Sequence, residues 1–246
     1  MSRSLLGAKD GSLRTVLAEP IYDALKERIM DQGLAPDARL NIDALAHELG
    51  VSPTPVREAL ARLAAERLVL FAPFKGYAVM PLLTHRRLAE LMHVRLLLES
   101  DAARQAATRV ILAQLRRMER ELDAIAALQP EPRFHDFRPY NEHDRIFHEI
   151  LVAAADNSVL LETYRALSAH VQLARLYHGR GEIDYRESVS EHRAIYNALR
   201  SRDPEATVAA VCIHIDGVER RLGAFLDDQV DHDADALASG SLLGRR

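Results

Sequence analysis

Four side chains in the second half of the sequence have residue types that bind divalent transition metals. Asp144 and His148 stand four residues apart in NEHDRIFHEI, so a helix places both on one face. His192, in SEHRAIYNAL, and His214, in VCIHID, follow in later segments with helical patterning. One carboxylate and three imidazoles form a suitable ligand set that leaves positions for water or a small molecule. Because the chain has 11 histidines and separate helices need not converge, the spacing leaves both a metal site and ordinary solvated histidines open.

A second stretch, GVSPTPVREALARL at 50–63, has residues that could contact DNA. Helices over about 41–49 and 53–67, joined by a turn containing Gly50, have helix-turn-helix spacing. Ser52 and Thr54 would lie at the N-terminal end of the second helix, where short hydroxyl side chains can bond to phosphates or bases. Arg57, one turn further on, could pair bidentately with guanine. The spacing alone also fits an ordinary helical hairpin with a capped second helix.

The residues after this helix predict a β-hairpin. Segments 69–72 and 77–80 read as short strands, and Pro-Phe-Lys-Gly at 73–76 is typical of the turn between them. Such a hairpin would be the wing of a winged helix. Lys75 at its tip could reach a phosphate or the minor groove, so the wing favours DNA binding over the simple hairpin.

The remaining patterns predict helices that would position these residues. A first helix is expected over about 20–32, with Pro20 in its first turn. Further helices are expected over 84–107, 110–128, 139–155, 157–178, 184–200 and 203–226. We therefore predict a mainly α protein with a winged helix-turn-helix domain over 15–81 and an all-α helical bundle over 84–226. A flexible arm at 1–14 and a disordered tail at 227–246 are expected to flank them.

Composition limits the possible locations and partners of the protein. The single cysteine, Cys212, excludes an internal disulfide and fits a reducing cytosol. No apolar run has the length of a membrane span, and the N-terminus lacks an apolar signal-peptide core, so we expect a cytoplasmic protein without a membrane partner. Residues 1–80 contain ten basic and ten acidic residues, which argues against strong nonspecific DNA binding but allows a few arginines to gather on one face.

The first eighty residues resemble the winged-helix domain of the GntR family of bacterial transcription regulators. The resemblance is carried by RLNIDALAHELGVSPTPVREALARLAAERLV at 39–69 and by the FKGYAV wing. It implies that operator DNA is contacted by two residues of the recognition helix and supported by four others: Thr54 and Arg57, with Arg39, Ser52, Lys75 and Gly76. Many members have an arginine where this chain has Pro53, so the operator sequence does not follow from the resemblance.

The rest of the chain, over about 84–226, resembles the FCD domain of the FadR subfamily of GntR regulators. The matching segments are HVRLLLESDAARQAA, DRIFHEILVAAADNSVL and EHRAIYNALRSRDPEATVAAVCIHI. The resemblance implies an antiparallel helical bundle and a Zn, Ni or Mn ion held by the four residues Asp144, His148, His192 and His214. Arg95 matches an arginine that often faces the effector, although an ion pair with Glu99 at i, i+4 is an equal alternative. Arg175 is a weaker effector candidate.

Together these patterns predict a ligand-responsive transcription regulator, a repressor, that binds a pseudo-palindromic operator as a homodimer. Its effector would be a small carboxylate sensed in the metal-containing bundle. One alternative is a metal-dependent enzyme domain fused to a DNA-binding module, because the same ligands could activate water. Against it, His148-Glu149 begins an HExxH motif that Val152 leaves incomplete, and we expect no catalytic residues. A further alternative is a sensor of a larger acyl ligand with a purely structural Asp/His set.

Overall fold

The computed structural model describes residues 10–31, 33–128, 134–167 and 182–240. These residues form nine helices and three short strands, which confirms the mainly α fold class. The chain divides into two compact units, residues 1–82 and 83–246. Among the described residues, the structure has no helix with enough length and apolar character to cross a membrane.

The N-terminal unit contains three helices and a small sheet. Its elements are α1 Asp10–Met30, β1 Arg39–Leu40, α2 Ile42–Leu49, α3 Pro53–Ala65, β2 Val69–Ala72 and β3 Gly76–Val79. Helix α2 begins at Asn41, whose side-chain oxygen accepts hydrogen bonds from the backbone N–H groups of Asp43 and Ala44. It ends at Gly50, where φ is 67°, a left-handed conformation that favours glycine.

Helix α1 packs against α3 through both apolar and charged contacts. Leu25 of α1 and Leu60 of α3 are completely buried. Lys26 donates to Glu66 over 2.7 Å, and Arg62 pairs with Glu19 over 2.6 Å. The opposite side of α3 is therefore left for other contacts.

The wing belongs to a sheet of three strands, ordered β1-β3-β2 and antiparallel throughout. The sequence predicts only the two strands of the hairpin, because a two-residue strand such as β1 has no readable periodicity. Strand β1 pairs with β3. Arg39 lies opposite Ala78, and the buried Leu40 lies opposite Tyr77. The wing turn includes Phe74 with φ 64° and Gly76 with φ 78°.

The first helix begins earlier than the sequence predicts. Helix α1 starts at Asp10 and contains Pro20 inside it, so residues 10–14 are helical rather than part of a flexible arm. The segment LRTVLAE before Pro20 is mostly made of good helix formers, which outweigh the single backbone hydrogen bond that proline removes.

The C-terminal unit is all-helical. Its helices are α4 His85–Arg109, α5 Leu112–Ala127, α6 Phe134–Ala153, α7 Ser158–Ala166, α8 Glu182–Arg200 and α9 Pro204–Gly240. Helix α4 packs against α6, α7, α8 and α9, and α5 packs against α6 and α8. Four alanines on the buried face of α4 have no exposed surface, which allows its neighbours to approach closely: Ala102, Ala103, Ala106 and Ala107.

Three predicted boundaries in this unit differ from the structure. Helix α6 begins at Phe134, five residues before the predicted start at 139, and contains Pro139 inside it. Helix α9 continues to Gly240, so the prediction of a disordered tail is wrong for residues 227–240. No proline or glycine interrupts residues 224–239, and four of these residues are alanine, so nothing in the segment breaks the helix. The helix predicted over 157–178 is described as α7 only to Ala166, and the rest of that prediction, with Arg175, lies outside the described residues.

Candidate functional site

Three imidazoles from three different helices converge in the core of the C-terminal unit. His148 lies on α6, His192 on α8 and His214 on α9, and each residue is at most 1% exposed. One nitrogen of each ring lies within 4.8 Å of the corresponding nitrogens of the other two. The structure therefore brings together the three histidines that the sequence selects as ligands.

Asp144, the fourth predicted ligand, borders two of these rings. Its Oδ1 atom lies 3.2 Å from Nε2 of His192 and 3.8 Å from Nε2 of His148. The Nε2 atoms of His148 and His192 are themselves 3.1 Å apart. Two nitrogens bound to one ion at about 2.1 Å lie roughly 2.9–3.4 Å from each other in octahedral or tetrahedral geometry, so the spacing fits a shared metal.

A buried carboxylate fixes the orientation of His148. Oε2 of Glu99, on α4, lies 2.6 Å from Nδ1 of His148. Burial opposes ionisation of Glu99, but Arg95 and His148 outweigh it and lower the pKa of the Glu99 carboxyl below its usual value. An ionised carboxylate only accepts hydrogen bonds, so Nδ1 of His148 carries the proton. Burial also lowers the pKa of His148, which leaves a neutral ring whose Nε2 lone pair faces the cluster.

Glu191 performs the same role for His214. Its Oε2 atom lies 2.9 Å from Nδ1 of His214, and Arg221 donates to both of its oxygens over 2.8 and 2.9 Å. Burial and the neighbouring His192 lower the pKa of His214 to about 3, although the hydrogen bond to Glu191 opposes the shift. His214 is thus also a neutral imidazole, with its proton on Nδ1 and a lone pair on Nε2. A side chain at Gly217 would collide with this ion pair, because an added Cβ would lie 2.6 Å from Glu191.

His192 differs from the other two rings. Its Nδ1 atom is buried and has no hydrogen-bond partner among the described residues. Phe147 packs beside it, with ring centroids 4.8 Å apart. His192 is therefore held by packing and by its Nε2 contacts, without a carboxylate behind it.

Arg95 is buried beside this cluster, with 2% of its side chain exposed. Its Nε atom donates to Oε1 of Glu99 over 2.7 Å, so the ion pair considered from the sequence is present. Its Nη2 atom has no hydrogen-bond partner within the described part of the chain. The ion pair and an effector contact are thus compatible, because one guanidinium nitrogen remains for a ligand.

Sequence reasoning selected the three histidines and Asp144 as candidate ligands but missed the carboxylates behind two of the histidines. Glu99 was considered only as a partner of Arg95, and Glu191 and Arg221 were not selected at all. The available signal was weak, since Glu191 simply precedes a predicted ligand in SEHRAIYNAL. Glu149, the glutamate of the incomplete HExxH motif, is bonded to Arg145 and Arg165.

The predicted DNA-contacting residues all lie on the surface of the N-terminal unit. Six side chains or backbone positions are exposed: Arg39, Ser52, Thr54, Arg57, Lys75 and Gly76. Ser52 occupies the N-cap of α3, but its side chain makes no capping hydrogen bond, and no acidic residue lies in the first turn. That helix end therefore has a hydroxyl that is not used for capping and no acidic side chain in its first turn to offset the positive dipole, and both features suit phosphate.

Ion pairing divides the basic residues of this unit into two groups. Lys26, Arg28 and Arg62 are paired with glutamates. Arg57 and Lys75, by contrast, have no ion-pair partner among the residues that the structure describes. The zero net charge of the first eighty residues thus hides basic side chains that remain available to DNA.

Phe74, at the tip of the wing, is fully exposed, and the sequence analysis did not select it.

Comparisons with known proteins agree with both units. The family model described as "Bacterial regulatory proteins, gntR family" matches residues 17–79, and that of the FCD domain matches residues 90–217. A probable D-xylose utilization operon transcriptional repressor of Paenarthrobacter nicotinovorans is 30% identical over 82% of this chain and 87% of its own. The Nta operon transcriptional regulator of Aminobacter aminovorans is 32% identical over 73% and 82% of the two chains.

Two further comparisons are more distant. The gluconate operon transcriptional repressor of Bacillus subtilis is 25% identical over 80% of this chain and 82% of its own. The solved structure of E. coli McbR/YncC shares the fold, with a TM-score of 0.62, 24% identity and coverage of 87% of this chain and 98% of that one. The two family models and the relatives together place this chain in the GntR family of bacterial transcription regulators, with an FCD domain following its winged helix.

Proposed function

We propose that this GntR-family regulator is a metal-dependent sensor of a small organic acid that represses transcription as a homodimer. The observation that carries the proposal is the convergence of His148, His192 and His214 in the core of the FCD domain. Three buried imidazoles side by side are costly unless their polar atoms have partners. A divalent ion bound by their Nε2 atoms, with Asp144 as a fourth ligand, supplies that partner.

The donor set of three nitrogens and one carboxylate oxygen suits Zn, Ni or Mn. Two of the imidazoles already have their proton on Nδ1, so they need no rearrangement to bind an ion through Nε2. Four protein ligands leave positions in a five- or six-coordinate shell for an effector oxygen.

The effector is proposed to be a small carboxylate that bridges the ion and Arg95. The free Nη2 of Arg95 supports this, because a guanidinium is a strong donor to carboxylate oxygens. The burial of Arg95 and the histidines favours a small molecule over a long acyl chain. The name of the gluconate operon repressor gives further support for an organic acid.

The DNA-contacting surface is proposed to be the N-terminal end of α3 together with the wing. Thr54 and Arg57 would contact base edges, and Arg39, Ser52 and Lys75 would contact the backbone. Two copies of the chain would place two recognition helices in successive major grooves of a pseudo-palindromic operator in the cytoplasm. The effector would act by binding the DNA-competent and DNA-incompetent arrangements of the dimer with different affinity.

The test compares the metal-depleted and the metal-loaded protein. Chelated protein is reconstituted with Zn, Ni or Mn and screened by thermal shift against small organic acids. We expect one class of acid to raise the Tm of the reconstituted protein only, because a ligand that binds the native state stabilises it by mass action. The same acid should weaken binding to an operator selected from random duplexes.

Two outcomes would count against parts of the proposal. If thermal shifts survive chelation, the acid binds without the ion and the four ligands are not part of its site. If elemental analysis finds no bound metal after reconstitution, the metal centre is wrong and the sensor of a larger acyl ligand becomes the better explanation. His93→Ala, at an exposed position of α4, is the control for nonspecific metal binding by histidine.

A further inference from the structure

We propose that Glu99 is a positioning residue that couples Arg95 to the metal ligand His148, so that occupation of either partner changes the affinity of the other. This inference rests on the proposed metal centre. Glu99 is the one carboxylate that connects Arg95 with the proposed metal centre at His148.

Glu99 joins the two residues with a separate oxygen for each. Its Oε1 atom accepts from Nε of Arg95 over 2.7 Å, and its Oε2 atom accepts from Nδ1 of His148 over 2.6 Å. Its side chain is completely buried, so water does not screen these contacts. A change in how strongly one donor holds the carboxylate must therefore alter its bond to the other.

Arg95 uses only part of its hydrogen-bonding capacity within the described part of the chain. Arg95 contacts Glu99 through Nε, while its buried Nη2 has no partner among the described residues. That free donor gives the guanidinium a second position for an anion. An anion bound there would draw positive charge away from Glu99, and the carboxylate would pull more strongly on the N–H of His148. A stronger acceptor at Nδ1 makes the imidazole a better metal ligand.

Glu191, the carboxylate that positions His214, provides a contrast to Glu99. Arg221 holds Glu191 with both Nη atoms and also bonds to Glu187 and Ser188. Both Nη atoms of its guanidinium are thus engaged by the protein itself. Glu191 positions His214, but the Nη atoms of the arginine behind it are committed to protein contacts. Arg95 has an Nη atom without a partner among the described residues, so Glu99 is the carboxylate through which a ligand can act.

The experiment is a double-mutant cycle on metal affinity in the full chain. The dissociation constant for Zn is measured by competition with a chromophoric chelator, and Co is used as a spectroscopic substitute. Four proteins form the cycle: wild type, Arg95→Gln, Glu99→Gln and the double variant. We expect Glu99→Gln to weaken metal binding by about 10- to 100-fold, as for other carboxylates behind metal-bound histidines.

The coupling is measured as the difference between the effects of Arg95→Gln on Zn affinity in the presence and in the absence of Glu99. We expect it to change Zn affinity at least about fivefold when Glu99 is present, and by less than about twofold in the Glu99→Gln protein. It should also change Zn affinity at least about fivefold in a Glu191→Gln background, where the cluster is weakened from the other side. The Co absorption spectrum should follow the same pattern, which a general loosening of the fold would not produce.

An equal effect of Arg95→Gln in all three backgrounds, or no effect in any, would overturn the inference while leaving the metal centre intact. Failure of the wild-type protein to bind Zn would overturn the metal centre and the inference together. If Arg95→Gln does not fold, Arg95→Lys replaces it in each background, because lysine keeps the charge but cannot reproduce the Nε donor.

Discussion

The Nε2 atoms of His148 and His192 lie 3.1 Å apart, so without a metal ion between them one of the two must carry a proton. His148 has its proton on Nδ1, where it donates to Glu99, so its Nε2 is an acceptor. Without an ion, His192 must therefore carry its proton on Nε2 to form this contact. With an ion bound between the rings, the proton of His192 must move to Nδ1. His192 is thus the ring whose tautomer reports the occupant of the site.

The first prediction concerns that tautomer. In histidine-labelled protein, two-bond proton–nitrogen NMR spectra should show His192 with Nε2–H after chelation and with Nδ1–H after Zn is added. His148 and His214 should have Nδ1–H in both states, because Glu99 and Glu191 hold that proton. The exposed ring of His93 is the internal control. Observation of Nδ1–H on His192 in the chelated protein would contradict the hydrogen-bonded cluster described above.

The second prediction is that His192→Ala removes the metal. We expect Zn affinity to fall by more than about 100-fold, since losing a ligand costs more than losing a carboxylate behind one. The rise in Tm on adding Zn should disappear with it. His93→Ala should keep both properties. Stoichiometric metal in His192→Ala by elemental analysis would show that the ligand set is wrong.

The histidines that converge in the C-terminal unit could be selected from the sequence, but the carboxylates behind them could not. Asp144 and His148 share a helix face by their spacing, and the family motif supplies the two later histidines. Glu99 and His148 are 49 residues apart, and they meet only because α4 packs against α6. No local spacing rule encodes a contact between two helices, so this part of the site required the structure.

The same distinction explains the outcome for the fold. Apolar periodicity and turn residues such as Gly50 predicted the helices and the hairpin, whose presence the structure confirms. The third strand was missed because Arg39 and Leu40 become a strand only through pairing with β3. The early start of α1 and the extension of α9 were missed because helix formers continue beyond the last strong apolar signal, and propensity alone does not mark an end.

The third prediction tests the recognition helix. Arg57→Ala should lower affinity for the selected operator by about 1–3 kcal/mol, roughly 5- to 150-fold, while changing the thermal stability little because the side chain is exposed. Binding to a scrambled duplex of equal length should change much less. Arg67→Asn is the matched control, because it removes one charge at an exposed position whose φ of 59° asparagine tolerates. Equal losses in both variants would mean that Arg57 contributes only charge.

The fourth prediction separates capping from DNA contact at two neighbouring helix starts. Asn41→Ala should lower the free energy of unfolding by about 1 kcal/mol, because its side chain accepts from two backbone N–H groups of α2. Ser52→Ala should cost less stability, because Ser52 makes no capping hydrogen bond, yet it should weaken operator binding. Urea unfolding and fluorescence anisotropy measure the two effects. A larger stability loss in Ser52→Ala than in Asn41→Ala would show that its hydroxyl caps α3 after all.

The fifth prediction follows from the buried histidines. The pKa of His214 is lowered from 6.5 to about 3, so the folded chain does not bind this proton until far below the pH at which the unfolded chain does. The unfolded state then holds more protons, and the metal-depleted protein must lose stability as pH falls from about 6.5 toward about 5. His148, whose pKa burial also lowers, adds to the loss in the same direction. Glu99 and Glu191 have lowered pKa values as well, but as carboxyls they contribute only below about pH 4.5.

Urea unfolding of chelated protein at several pH values measures this slope. One histidine contributes at most about 1.4 kcal/mol per pH unit, and His214→Gln should reduce the slope by up to that amount. His93→Gln, at an exposed position of α4, is the matched control and should leave the slope unchanged. Bound Zn should make the loss steeper, since protons compete with the ion for the same nitrogens. Stability that is constant or rises as pH falls through this range would mean that His148 and His214 are not buried in neutral form.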